Sequence, residues 1–368
     1  VKFSPRVSTR AVRIGALGLL LALLCLWSVE QAMRTMETRW TGDHRTPTTG
    51  GLGHPFLLWE LPAGATEVNG QTVQVNTSGF RGPELNPQKL AGGRRILSIG
   101  GSVTFGEGVE HSETFTLDAV GIVGGTRVGV ETVLMAAPEY SLTQSRNLME
   151  MRGWSLDPDL LIYSGPGIEM SIAQYVDSEV ISSFRGTDPL RQSLEEWASF
   201  RIADHLVRVE NGRSAARRQE VFTIGRNTNT QGRPRVGTNE YARQLDALVA
   251  RARAQQVDVV FVMLPVPADL SDTHLTERVQ LYRKVMTEIA KRHGIPVIDG
   301  PGVFGDSGRD REALFNGSQL LTSRGHHLIG YSLSKILRRW LRGSRLKNRG
   351  TSADIPHFKE PEWLPEGQ

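Results

Sequence analysis

The stretch "RRILSIGGSVTFGEGV", residues 94–109, decides the fold. An apolar run of strand length ends on two glycines and a serine, and the next residues suit a helix. Ser102, set at that junction, is a candidate nucleophile. The same rhythm continues outward along the chain. Residues 114–123 predict a helix, 127–135 a second strand, 142–154 a helix and "PDLLIYSG" (158–165) a third strand. An amphipathic helix over 239–255 leads into "VDVVFVMLP" (257–265), a fourth strand. A helix over 272–293, the short fifth strand "IPVIDG" and a helix over 325–341 complete the series. Continuous apolar strands alternating with helices imply a parallel sheet covered on both faces. Residues 171–238 interrupt the pattern with a helix over 189–209 and a basic, strandless stretch. In a doubly wound fold such an insertion lies at the carboxyl ends of the strands, where ligands bind.

The chain has 368 residues, 39% hydrophobic and 22% charged, enough to bury a full core without disulfides or metals. The single cysteine, Cys25, excludes an intrachain disulfide and a cysteine-based metal site. The nine histidines show no HExxH spacing, and no cofactor is expected. The net charge of +4 is unevenly spread, with basic groups at the N-terminus, over 201–235 and over 335–349. No recognition motif or stacking-aromatic pattern accompanies them, so no nucleic-acid partner is expected. Beside a membrane anchor, anionic lipid or an acidic protein suits them better.

The anchor itself is "IGALGLLLALLCLWSV", residues 14–29, sixteen residues without a charge. About 20 apolar residues usually span a bilayer, and neighbouring residues extend this run at both ends. Lys2, Arg6, Arg10 and Arg13 all precede it, which predicts a cytoplasmic N-terminus and the remainder outside. No small-x-small cleavage site follows, so a retained signal anchor is expected rather than a cleaved peptide. The expected organisation is an N-terminus and transmembrane anchor (1–35), an extended arm and linker (36–93), the main domain (94–343) and a C-terminal tail (344–368).

Residues 94–341 resemble the SGNH (GDSL-type) hydrolase superfamily, whose serine block is written GDSxTxGxG. This chain reads Gly100-Gly101-Ser102-Val103-Thr104-Phe105-Gly106-Glu107-Gly108. The GGSxTFG variant is familiar in bacterial members, as is "NTSGFRGPEL" (76–85) upstream. The α/β-hydrolase elbow GxSxG is not matched, because Thr104 stands at its second glycine. The resemblance implies an SGNH-like, flavodoxin-like three-layer sandwich with a parallel sheet. It also implies a histidine base near the C-terminus with an aspartate three residues before it. The oxyanion donors would be the serine N–H, a glycine N–H after the second strand and an asparagine side chain after the third.

The chain departs from that pattern at three blocks. After the second strand it reads "MAAPEYSLTQ" (135–144), with Pro138 and Glu139 in the region of the glycine donor; a proline has no N–H to give. After the third strand it reads "SGPGIEM" (164–170), with Gly167 in place of the asparagine. Near the C-terminus "NGSQLLTSRGHH" (316–327) puts Leu320 at the base position and Gly317 at the aspartate position. A one-residue slip gives Gln319 and Asn316 instead, and neither register yields a base. His326 and His327 read as the start of the last helix, and Asp299, Asp306 and Asp310 have no histidine to orient.

Ser102 therefore reads as a vestigial nucleophile whose hydroxyl caps its helix or bonds within the loop. The expectation is a non-catalytic, single-pass protein of a bacterial inner membrane with a periplasmic main domain. It would serve as a structural subunit of a membrane complex, for which a respiratory or photosynthetic assembly is a natural host. Its contacts would be the bilayer and the partner subunits, made through the N-terminal helix and the arm over 41–59. The alternative is an active esterase or O-acetyltransferase acting on envelope glycans or lipids, with its base supplied from elsewhere.

Overall fold

The run of apolar residues at 94–100 forms the strand next to one edge of a five-stranded parallel sheet. The computed structural model describes residues 18, 21–22, 24–32, 52–54, 56–68, 70–86, 88–173, 176–185, 233–270, 275–309, 311–316 and 320–343. Two antiparallel hairpins come first: β1 (Leu52–His54) with β2 (Leu58–Glu60), then β3 (Gly64–Val68) with β4 (Gln71–Val75). The main domain follows with β5 (Arg94–Gly100), the short α1 (Ser102–Phe105), α2 (Phe115–Ile122), β6 (Val130–Ala136), α3 (Leu142–Leu148) and β7 (Leu160–Gly165). The small pair β8 (Ile172–Ala173) and β9 (Arg233–Pro234) brackets α4 (Asp177–Arg185) and the part of the insertion outside the described residues. Then come α5 (Thr238–Ala254), β10 (Asp258–Met263), α6 (Glu277–His293), β11 (Val297–Asp299), α7 (Gly300–Asp306) and α8 (Arg311–Leu314). The last elements are β12 (Phe315–Asn316), β13 (Leu320–Leu321) and α9 (Ser323–Leu341).

The spatial order β6-β5-β7-β10-β11 is the doubly wound arrangement of flavodoxin-like folds, with its switch point between β5 and β7. Alternate residues of each strand feed two cores. On one face Leu97, Ile99, Leu161, Tyr163, Val259 and Phe261 pack with α3, α5 and α6. On the other, Ile96, Leu160, Ile162, Val260 and Val262 pack with residues of α2, α7 and α9. The layered α/β architecture expected from the strand–helix rhythm is thus present.

Three differences have physical causes. The second strand begins at Val130 rather than 127, because a tight turn over Gly125–Val128 and Gly129 in the left-handed region (φ 75) take its first residues. The helix over 142–154 exists but passes through a widened turn at Met149–Gly153. The segment read as an extended arm is, from Leu52, folded onto the main domain: Leu57, Leu58, Trp59 and Leu61 belong to the core on the α3 face. Burying such side chains contributes about 1.5–3 kcal/mol each, so this part of the arm is integral to the domain.

The insertion helix over 189–209 and the tail over 344–368 lie outside the described residues. Of the apolar N-terminal run, Gly18, Leu21, Ala22 and residues 24–32 are described and helical. Among the described residues, no helix is long and apolar enough to cross a membrane.

Candidate active site

Ser102 sits where β5 ends, at the switch point of the sheet. The turn that presents it requires both preceding glycines. Gly100 has φ 153, and a Cβ there would lie 2.3 Å from Thr104 Oγ1 and 2.7 Å from Ser164 Oγ. A Cβ on Gly101 would lie 2.7 Å from the carbonyl oxygen of Tyr140. The threonine of the serine block ties α1 to the end of β7 through a hydrogen bond between Thr104 Oγ1 and Ser164 Oγ. Arg81, from the "FRG" upstream, secures the other end of α1. Its guanidinium is buried, lies 5.2 Å from the centre of the Phe105 ring and donates to the carbonyls of Phe105, Gly106 and Val109.

The Ser102 hydroxyl does not cap its helix; Gly101 is the cap residue and carries no side-chain bond. Instead, the Glu139 backbone N–H donates to Ser102 Oγ at 3.0 Å. Glu139 has φ 60, the left-handed conformation that favours glycine. The "APEY" segment, read as the place of the glycine donor, thus directs the N–H of Glu139 at the serine hydroxyl. No sequence signal marks a glutamate that will adopt a positive φ.

The Glu139 loop is braced from three sides. Trp59 Nε1 donates to Pro138 O at 3.1 Å, and Tyr140 OH donates to Trp59 O at 2.6 Å. Arg235 donates to Glu139 O at 2.9 Å. The same guanidinium forms a buried ion pair with Asp177, at 2.9 and 3.0 Å, and donates to Gln144 Oε1 at 2.8 Å. Ser141 Oγ completes the set by donating to Asp177 Oδ2 at 2.5 Å. Arg235 and Asp177 come from opposite ends of the insertion, so its base is fastened to the loop that holds the serine. Sequence reasoning missed both, because Arg235 looked like one more member of a basic run.

Past the end of β7, Gly167 stands where the resemblance expects the asparagine donor. Its N–H is turned away to Glu169 Oε2, at 2.6 Å. Glu169 is buried and also accepts from Leu142 N at 2.9 Å and Tyr163 OH at 3.0 Å. Burial raises its carboxyl above the usual carboxylate range, and these donors pull it back only in part. Glu169 thus acts as a hub that fixes the β7 loop and the start of α3.

Leu320 is the residue that the resemblance places at the base position. β13, which carries Leu320, lies against α1. Gly317 and Gln319, the other residues considered there, are outside the described residues, and Asn316 is exposed at the end of β12. Among the described residues, Ser102 Oγ has no hydrogen-bond partner other than Glu139 N. His326 is fully buried, stacked on Phe115, and its Nδ1 accepts from Phe115 N at 3.2 Å. Burial pushes its pKa down to about 3, so it is a neutral packing residue. His327 pairs with Asp118 at 3.1 Å on the surface. Asp299 caps α7 by accepting from Gly302 N, Asp306 is exposed, and Asp310 is outside the described residues. The site can offer N–H donors to an oxygen, but nothing described in it removes the serine proton.

The profile of the GDSL-like Lipase/Acylhydrolase family matches residues 174–328. The match covers somewhat less than half the chain and begins beyond the serine block. Comparison with curated proteins found no match. Similar solved structures include an alpha/beta hydrolase from the metagenome of Lake Arreo, Spain, at 16% identity and TM-score 0.43. Others are an acetylxylan esterase from Geobacillus stearothermophilus, at 13% and 0.44, and a lipase/acylhydrolase from Enterococcus faecalis, at 12% and 0.43. Each alignment covers 67% of this chain and 95% of the other. Residues 174–328 are thus similar to the GDSL-like lipase/acylhydrolase family, and the serine turn and sheet order are those the resemblance to the SGNH hydrolases implies.

Proposed function

We propose that this chain is a non-catalytic SGNH-fold protein, anchored in a bacterial inner membrane by its N-terminal apolar helix. It serves as a structural or accessory subunit of a membrane complex on the extracytoplasmic side. The observation that carries the catalytic part is Leu320 at the family's base position, on a strand that touches the serine helix. A hydroxyl without a base stays protonated at neutral pH and is a weak nucleophile. Removing the base alone costs about 10⁶ in kcat in a serine protease. What supports the anchor is the described end of the N-terminal run, where Leu21, Leu24, Leu26, Trp27 and Val29 are 51–62% exposed. So many large apolar side chains on one short helix call for lipid or a neighbouring helix to cover them.

The test uses the full chain in mild detergent. It should run within an assembly larger than itself and leave short acyl esters untouched at neutral pH. A lone particle that hydrolyses those esters contradicts both halves of the proposal.

A second reading, an active esterase or O-acetyltransferase, is favoured by one observation. The Glu139 donor and its Trp59–Arg235–Asp177 brace keep half of an oxyanion site in order. That reading needs a base from residues outside those described, such as His205 or His274, and replacing each with alanine separates the two readings.

A further inference from the structure

At the opposite end of the sheet from Ser102, the chain carries a second concave site. It is a groove of about 540 Å³ lined by Gly92, Arg94, Val123, Arg338, Leu341 and Arg342. Arg94 opens β5 and Ser102 lies two residues beyond its last residue, Gly100, so the strand alone separates the two sites by roughly 20 Å. Three of the six lining residues are arginines and none is acidic.

The three guanidinium groups are not balanced within the protein. Among the described residues, none of them is paired with a carboxylate. Arg94 is half-buried and held in one orientation: its guanidinium carbon stands 4.8 Å from the centre of the Trp340 ring and NH1 donates to Trp340 O at 2.7 Å. Trp340 is itself buried and fixed by Nε1 donating to Asp258 Oδ2 at 3.1 Å. The fork's remaining donors are therefore presented from a rigid base. Arg338, in the last turn of α9, and Arg342, the residue that follows its end, are both exposed and four residues apart.

Cations in the last turn of a helix are ordinarily explained by the helix dipole, worth a few tenths of a kcal/mol at exposed positions. That explains Arg338 and Arg342 but not Arg94, which comes from a strand. Nor does it explain why three like charges share one groove in a chain with 39 acidic residues. Gly92, with φ 72, leaves its wall open: a Cβ there would meet nothing within 4 Å.

We propose that this groove binds a phosphate group, held by Arg94 at its floor and by Arg338 and Arg342 at its rim. Guanidinium forks match phosphate oxygens in pairs, and a phosphate relieves the mutual repulsion of the three cations. Val123 and Leu341 give the groove apolar flanks beside the charges, suited to the carbon body that bears the phosphate. The phosphate has two possible sources, a lipid headgroup or a small phosphorylated molecule, with the same recognition chemistry.

Calorimetric titration of the full chain in neutral detergent tests this, with inorganic phosphate and glycerophosphoglycerol, the deacylated headgroup of an anionic lipid, as probes. Binding is expected for at least one probe, weakening as salt rises and falling about tenfold or more in Arg338→Ala/Arg342→Ala. Arg94→Lys, which keeps the charge but loses the fork, is expected to weaken binding as well. Tighter binding of glycerophosphoglycerol identifies a lipid surface as the source, and tighter binding of inorganic phosphate identifies a small phosphorylated ligand. No heat from either probe at about 10 mM, or affinities unchanged in the double variant, overturns the proposal.

Discussion

The backbone N–H of Glu139 donates to Ser102 Oγ at 3.0 Å, and the residue making that bond is held in the left-handed region with φ 60. A non-glycine residue there carries strain of about 1–2 kcal/mol. The loop keeps the conformation because Trp59, Tyr140 and Arg235 hold it on three sides. The chain thus holds a backbone N–H on the serine hydroxyl by contacts from distant parts of the sequence. Donor geometry and proton removal are separate requirements of such a site.

Glu139→Gly should stabilise the domain by about 1 kcal/mol, since glycine adopts a positive φ without penalty. Glu139→Pro removes the N–H and forbids that φ, so a loss of about 3 kcal/mol is expected. Urea unfolding of the two variants measures both. Equal stability of the two would mean that the loop is not constrained as described.

Arg235→Met leaves Asp177 buried, charged and without its cation. The expected loss is about 3–5 kcal/mol, the usual cost of removing one partner of a buried pair. Arg235→Met combined with Asp177→Leu should recover part of that loss. If the double variant is as unstable as the sum of the single ones, the pair is not coupled.

His326 makes folding pH-dependent in a direction fixed by its burial. Its folded pKa is about 3 against an ordinary 6.5, so the unfolded chain binds a proton that the folded chain refuses. The stability this neutral histidine contributes is present above the unfolded value and is lost as pH falls from about 6.5 towards 3. Between pH 7 and pH 5 the loss should be about 2 kcal/mol. His326→Phe should lack this component. A wild type and variant with parallel stability curves over that range would contradict the assignment.

Much of this was legible in the sequence because it depends on local pattern. The five strands and the helices between them follow from apolar runs and helical periodicity, and Gly100-Gly101-Ser102 marks the turn at the end of β5. The reading of Leu320 at the base position rests on local pattern as well, the frame of Thr322, Gly325 and His326. The rest depends on long-range contacts. Trp59 and Arg235 meet the 138–141 loop from 79 and 96 residues away, so nothing near that loop announces its brace. Leu57 and Leu58 sit in a stretch whose glycines and prolines read as linker, yet they fill the core on the α3 face. A cut meant to leave the domain folded should therefore fall before residue 52.

On the proposed non-catalytic reading, ester hydrolysis should be restorable in part. Leu320→His with Gly317→Asp puts a base and its carboxylate back at the family's positions. Gly167→Asn has room, since a Cβ there meets only ordinary contacts at 3.8 Å. The triple variant should hydrolyse short acyl esters at least tenfold faster than the parent chain, which is about 1.4 kcal/mol of barrier. No gain in a folded triple variant would place the defect elsewhere than at these three residues.

The most direct measurement is the reaction of the wild-type chain with a fluorophosphonate at neutral pH, followed by mass spectrometry of the peptide that contains Ser102. The expected result is no adduct on Ser102, because no described group takes its proton. Stoichiometric modification of Ser102, abolished in Ser102→Ala, would contradict a vestigial site and show that the base lies in a part of the chain outside the residues described.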